Sequence, residues 1–78
     1  MATLVSALDV EFTPPAAAPF NVQATGGNAS LLRKNTAGAA WALITSTLNG
    51  SAIVDNPVAG AVYKFTATGG APIVQADQ

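Results

Sequence analysis

The chain contains no cysteine and no histidine, and only seven of its 78 residues are charged. Without Cys there is no disulfide framework and no thiolate site, and without His the common general base and the commonest metal ligand are both missing. The pairings that usually support nucleophilic catalysis are therefore excluded, and the chain is expected to be no enzyme and to need no cofactor or metal. Large side chains are also few, with one Trp, one Tyr, three Phe and one Met. Much of the 50 % hydrophobic content is Ala, which suits small, flat, close contacts better than a deep core.

A net charge of −1 with three basic residues gives no electrostatic footprint for nucleic acid, so none is expected as a partner. No apolar run reaches the roughly 20 residues of a membrane helix. The start, MATLVSALDVEF, lacks the basic and continuously apolar regions of a signal peptide. Synthesis in a cytoplasm and no membrane association are the expectations. The lack of Cys suits an exterior destination equally well and does not locate the finished protein.

A chain of this length hides only about 60 % of the surface its unfolded form exposes, so it gains from a stabilising partner. With disulfides and metals set aside, oligomerisation is the remaining source. Sparse charge points the same way, because a free monomer normally carries more.

Turn signals recur at TPP (13–15), GGN (26–28), NTAG (35–38), NGS (49–51), DNPVAG (55–60) and GGAP (69–72). The runs between them are rich in Val, Ile, Thr, Phe and Tyr. This pattern predicts an all-β fold, a small antiparallel β-sandwich or barrel with an extended N-terminal arm. Strands are expected at 20–25, 29–34, 40–47, 51–55, 61–68 and 72–76, and the two Gly-Gly pairs read as hairpin turns. Neither pair has the GxxxxGK spacing of a phosphate loop. Alternation puts Phe20, Val22 and Ala24 on one face of the first strand and Ala61, Tyr63, Phe65 and Ala67 on one face of the fifth.

Residues 1–19 form the expected arm and 20–78 the domain. Three prolines between 14 and 19 restrict local structure, while Leu4, Val5, Leu8, Val10 and Phe12 supply apolar surface. The arm is expected to be ordered only against neighbouring subunits, with those five residues as interface. Asp9 and Glu11 would share a face if the segment were extended, but no oxygen-rich loop accompanies them, so a solvated or interface pair is the better reading.

The segment ASLLRKNTAGAAWALIT (29–45) holds two of the three cations and the only Trp. A hairpin loop of four residues would set Leu32 opposite Trp41, and one of five would set Arg33 opposite Trp41 and Leu31 opposite Leu43. The second register places Leu31, Trp41 and Leu43 on one face, with Trp41 as a core anchor beside Tyr63, Phe65 and Leu31. A carbohydrate platform on an exposed Trp41 is the competing use. Arg33 and Lys34 read as a solvated edge or an inter-subunit contact.

The order Leu31, Arg33, Gly38, Trp41, Pro57, Gly60 and Tyr63 resembles a small β-sandwich module of tailed-bacteriophage structural proteins. There a strand ending in Leu-x-Arg precedes a Gly-containing hairpin, a Trp, and a Pro and Gly turn before a Tyr-bearing strand. The resemblance runs from Phe20 to Thr68, about two-thirds of the chain. It departs from the pattern at the hairpin, NTAGA in place of an acidic, glycine-rich turn, and at Lys64, where Arg is common. It implies a head decoration or cement protein on the capsid exterior of a virion. Its partners would be the major capsid protein and its own copies, a trimer being favoured. A host-attachment module and a tail or connector accessory protein are the alternatives it leaves.

Overall fold

The computed structural model describes residues 2–78 and is all-β over that span. Four strands, β1 (Thr3–Val5), β2 (Phe20–Lys34), β3 (Ala42–Val54) and β4 (Val62–Asp77), form one antiparallel sheet in the order β1-β4-β2-β3. The sheet is open, with β1 and β3 at its edges. Each of the six expected strands falls within one of the long strands: 20–25 and 29–34 in β2, 40–47 (from residue 42) and 51–55 (to Val54) in β3, and 61–68 and 72–76 in β4 (from residue 62).

The Gly-Gly pairs are therefore not hairpin turns. Gly27 pairs with Gly70 and Asn28 with Gly69 across β2 and β4, and Gly50 of β3 pairs with Ala24 of β2. The ladder shifts register on both sides of this line, between Thr25 and Gly27 and between Asn28 and Ala29. A 15-residue strand would be about 50 Å long if straight, yet the longest dimension of the molecule is 31 Å. The strands accordingly bend at the glycine line, and the two ends of the sheet approach each other.

The core records that bend. Phe20 opens β2 and Tyr63 pairs with Arg33 near the other end of it, yet their ring centroids lie 4.9 Å apart in an edge contact. Phe12 stacks on Tyr63 and Phe65 at 5.7 and 5.9 Å and meets Phe20 edge-on at 6.0 Å. Val22, Ala24, Leu31, Val74 and Ala76 are among the other residues of the interior. The expected inner faces hold for Phe20, Val22, Ala24, Ala61, Tyr63 and Phe65, whereas Ala67 is exposed.

The N-terminal segment lies on the sheet. Thr3 and Val5 pair with Asp77 and Ala76, the Asp9 N–H donates to the Phe65 carbonyl at 2.7 Å, and Phe12 bridges Tyr63 with two 2.8 Å backbone bonds. Asp9 turns the chain with φ of 59°, so the shared Asp9 and Glu11 face does not form. Val5 and Phe12, expected to face a neighbour, instead join the core cluster.

The proline-rich stretch is tied down by side-chain amides. The buried Tyr63 hydroxyl donates to Asn56 Oδ1 at 2.8 Å, and Asn56 Nδ2 donates to the Ala16 carbonyl at 2.9 Å. Gln78 accepts from the Ala16 N–H and donates to the Ala16 and Ala18 carbonyls. A segment that cannot join a ladder thus has its backbone groups paired from outside.

A Cβ on Gly27 would stand 2.6 Å from the Gly69 carbonyl oxygen and 2.9 Å from the Pro72 nitrogen, both backbone atoms. Gly27→Ala should therefore destabilise by about 1–3 kcal/mol in urea unfolding. Gly38→Ala, where nothing lies within 4 Å, should change stability by less than about 0.5 kcal/mol. Equal effects at the two sites would show that close approach at the glycine line does not shape the sheet.

Burial raises the Tyr63 pKa above its ordinary value of 10.0, with Asp55 adding to the rise and Arg33 opposing it. The folded state holds the neutral phenol, so its contribution is complete below pH about 10 and is lost as pH rises through the higher folded value. Asn56→Ala, which leaves the hydroxyl buried and unpaired, should cost about 1–3 kcal/mol. Absorbance titration of the single Tyr should give a higher midpoint in the native chain than in urea, and coincident midpoints would refute the burial effect.

Candidate attachment surface

β2 runs antiparallel to β4, so the end of β2 lies beside the start of β4. Leu32 pairs with Lys64 and Arg33 with Tyr63. This places Arg33, Lys34 and Lys64, all of the chain's basic residues, at one corner of the sheet. Sequence reading singled out Arg33 and Lys34 but not Lys64, which joins them only through the β2 and β4 ladder.

The hairpin between β2 and β3 follows neither expected register. Arg33 lies opposite Ala42 and Leu32 opposite Leu43, and a shift between Leu31 and Leu32 sets Leu31 opposite Thr45. One step further along the ladder brings Trp41 to Lys34 instead of Arg33. Because neighbouring residues point to opposite faces, that single step moves Trp41 from the core face to the outer face. Leu31, Tyr63 and Phe65 are core residues as expected, while Trp41 is only half-buried.

Two ammonium groups stand over the indole: Lys34 Nζ and Lys64 Nζ are each 4.6 Å from its ring centroid. The indole holds the Lys34 side chain down to 13 % exposure, and Glu11, 58 % exposed, lies 3.9 Å from Lys34 Nζ. That is the only ion pair among the described residues. Arg33 sits on the opposite face, its guanidinium carbon 5.7 Å from the Tyr63 ring centroid and its Nε donating to Asn35 Oδ1 at 3.1 Å. The Asn35 bond orients the guanidinium fork.

An open groove of about 400 Å³ lies at this corner, lined by Arg33, Lys34 and Asn35 together with Ala39, Ala40, Ala42 and Ile44. It joins a planar, bidentate donor to a shallow apolar wall. Such a surface suits a carboxylate-bearing partner, because a guanidinium matches a carboxylate with two parallel bonds. Of the remaining expected interface residues, Leu4 and Leu8 pack half-buried against the core and Val10 is exposed.

Each ammonium over an exposed ring contributes about 0.5–1 kcal/mol. Trp41→Ala should thus cost about 1–2 kcal/mol, against the 3–5 kcal/mol of a core aromatic. The ratio of iodide to caesium quenching of Trp fluorescence should exceed that of free N-acetyltryptophanamide, since the capping lysines attract the anion. Replacing Lys34 and Lys64 with Gln should lower the ratio towards that of the free analogue. A native ratio no higher than that of the free analogue would contradict the geometry.

No family model, characterised protein or solved structure matches this chain, so its functional reading rests on its own residues and geometry.

Proposed function

We propose that the chain is a structural subunit of a tailed-phage virion, one that decorates and reinforces the capsid exterior by non-covalent contacts with major capsid subunits and copies of itself. The observation that carries this reading is the gathering of all three basic residues beside an oriented groove, on a chain otherwise nearly devoid of charge. In this reading the bent sheet acts as the compact sandwich of such modules. The groove at Arg33 and Lys34 engages an acidic surface of the capsid, and Leu4, Leu8 and Val10, on the β1 side of the sheet, supply apolar contact elsewhere. Many weak contacts repeated over a lattice then hold collectively through effective concentration.

A carbohydrate-binding use of Trp41 is supported less well. A sugar stacks on an open indole, and here two ammonium groups already stand over the ring.

Co-sedimentation with purified capsids tests the proposal. The native chain should bind, binding should weaken as salt rises, and Arg33→Glu with Lys64→Glu should weaken it at least tenfold while leaving the far-ultraviolet circular dichroism unchanged. Retained binding by the double variant would move attachment away from the basic corner. A native chain that binds no phage capsid would remove the virion reading itself.

A further inference from the structure

β2 and β3 cross the bend by different routes. Between Ala24 and Ala29, β2 uses the four residues from Thr25 to Asn28, whereas β3 passes between their partners, Gly50 and Leu48, with Asn49 alone. β3 is also an edge strand, with no strand on its far side among the described residues. Asn49 thus has no ladder partner on either side, and it is exposed. Gly50 has a φ of 125°, which side chains other than glycine's rarely allow, and nothing lies within 4 Å of where its Cβ would stand. The bend therefore calls for glycine directly after Asn49.

The other four asparagines are placed differently. Asn56 is buried with both amide atoms bonded, and the nitrogen after it belongs to Pro57 and carries no proton. Asn35 accepts from Arg33 Nε and precedes the β-branched Thr36. Asn21 and Asn28 lie on the inner strand β2, opposite Asp77 and Gly69, and each precedes a buried residue, Val22 or Ala29. Asn49 alone joins exposure, a following glycine and a carboxamide that nothing among the described residues hydrogen-bonds.

We propose that Asn49 is a site of spontaneous deamidation, and that its isoaspartyl product lengthens β3 where the strand crosses the bend. The Gly50 nitrogen gives its proton to water and bonds to Asn49 Cγ, the Cγ–Nδ2 bond breaks, and Nδ2 takes a proton from water and leaves as ammonia. Glycine favours this closure because no side chain shields its nitrogen. Water then opens the five-membered imide. Opening at Cγ restores the backbone and leaves Asp, whereas opening at the main-chain carbonyl reroutes the chain through Cβ and Cγ and leaves isoaspartate. One water enters for each ammonia lost, and nothing is oxidised or reduced. Either product adds a negative charge to a chain of net charge −1. The isoaspartyl product also adds a carbon to the backbone. β3 spans the bend with one residue, and Leu48 and Val54 on its two sides are both core residues, so the added length displaces one half of the strand. The site acts as a slow, irreversible timer that runs faster as pH rises, because the attacking nitrogen must lose its proton. The inference does not rest on the virion reading.

The test incubates the full native chain, without any capsid, for weeks in mildly alkaline buffer and follows intact mass. The chain should gain one mass unit, at a rate within a hundredfold of that of a synthetic peptide of residues 45–53 in the same buffer. Tandem mass spectrometry should place the change at Asn49, and isoaspartyl methyltransferase should label the product. Asn49→Ser, which has no carboxamide there, should gain no mass. Asn49→Asp carries the charge without the extra carbon, so the isolated isoaspartyl chain should unfold at a lower urea concentration than this variant. A folded chain more than a hundredfold slower than the peptide would show that the strand protects the site and would overturn the proposal. A mass gain placed at Asn21, Asn28, Asn35 or Asn56, or one that persists in Asn49→Ser, would do the same. Equal urea midpoints for the isoaspartyl chain and Asn49→Asp would refute the lengthening of β3.

Discussion

Three strands of 13 to 16 residues must fit into a molecule no more than 31 Å long, and the chain has few large side chains with which to fill two separate layers. The bend at Gly27, Gly50 and Gly70 answers both demands. It shortens the sheet and turns one inner face upon itself, so a single set of aromatic and aliphatic positions serves both sides of the core. Phe20 and Tyr63 sit at opposite ends of the ladder, and their contact exists only because the strands fold over. Where Gly27 and Gly70 face each other, backbone approaches backbone so closely that a single methyl group has no room. Everything that depends on Tyr63 therefore depends on the glycine line, including its hydroxyl bond to Asn56, its stack with Phe12 and its place beneath Arg33.

Phe12 explains why the N-terminal segment packs on the sheet. A bent open sheet leaves the aromatic cluster uncovered on its β4 side, and Phe12 closes it by stacking on Tyr63 and Phe65. The prolines that follow do not loosen this attachment, because Asn56 and Gln78 satisfy the carbonyls and the N–H that the ladder leaves unpaired. Ordering such a stretch costs about 1–2 kcal/mol of backbone entropy per residue, less where proline already fixes φ. The proline content thus favours a held extended segment once partners exist, and composition alone does not reveal those partners.

The intervals of strand were legible because period-two alternation survives along each half-strand, and the inner faces at Phe20 to Ala24 and Ala61 to Phe65 followed from it. The connections were not legible. A Gly-Gly pair provides the same backbone freedom to a hairpin and to a bend, and only the pairing of one glycine line with another distinguishes them. Register was lost for a related reason: a hairpin loop one residue longer than expected is a small change in sequence terms, yet it turned Trp41 from the interior to the outer face. Arg33 and Lys34 were visible as a pair of neighbouring cations. Lys64 and Asn56 were not, since each acquires its role from a strand or segment far away in the chain. Lys64 would have been found by aligning the end of β2 with the start of β4, had the long strands been recognised.

Charge in this chain is scarce enough that its placement has consequences for assembly. The cations lie at one corner, where an attractive contact gains from orientation and weakens as salt screens it. The β3 edge carries none, so a contact made there through backbone hydrogen bonds and apolar side chains is largely indifferent to ionic strength and strengthens with apolar burial. A single small domain thereby presents two surfaces that answer to different physical conditions.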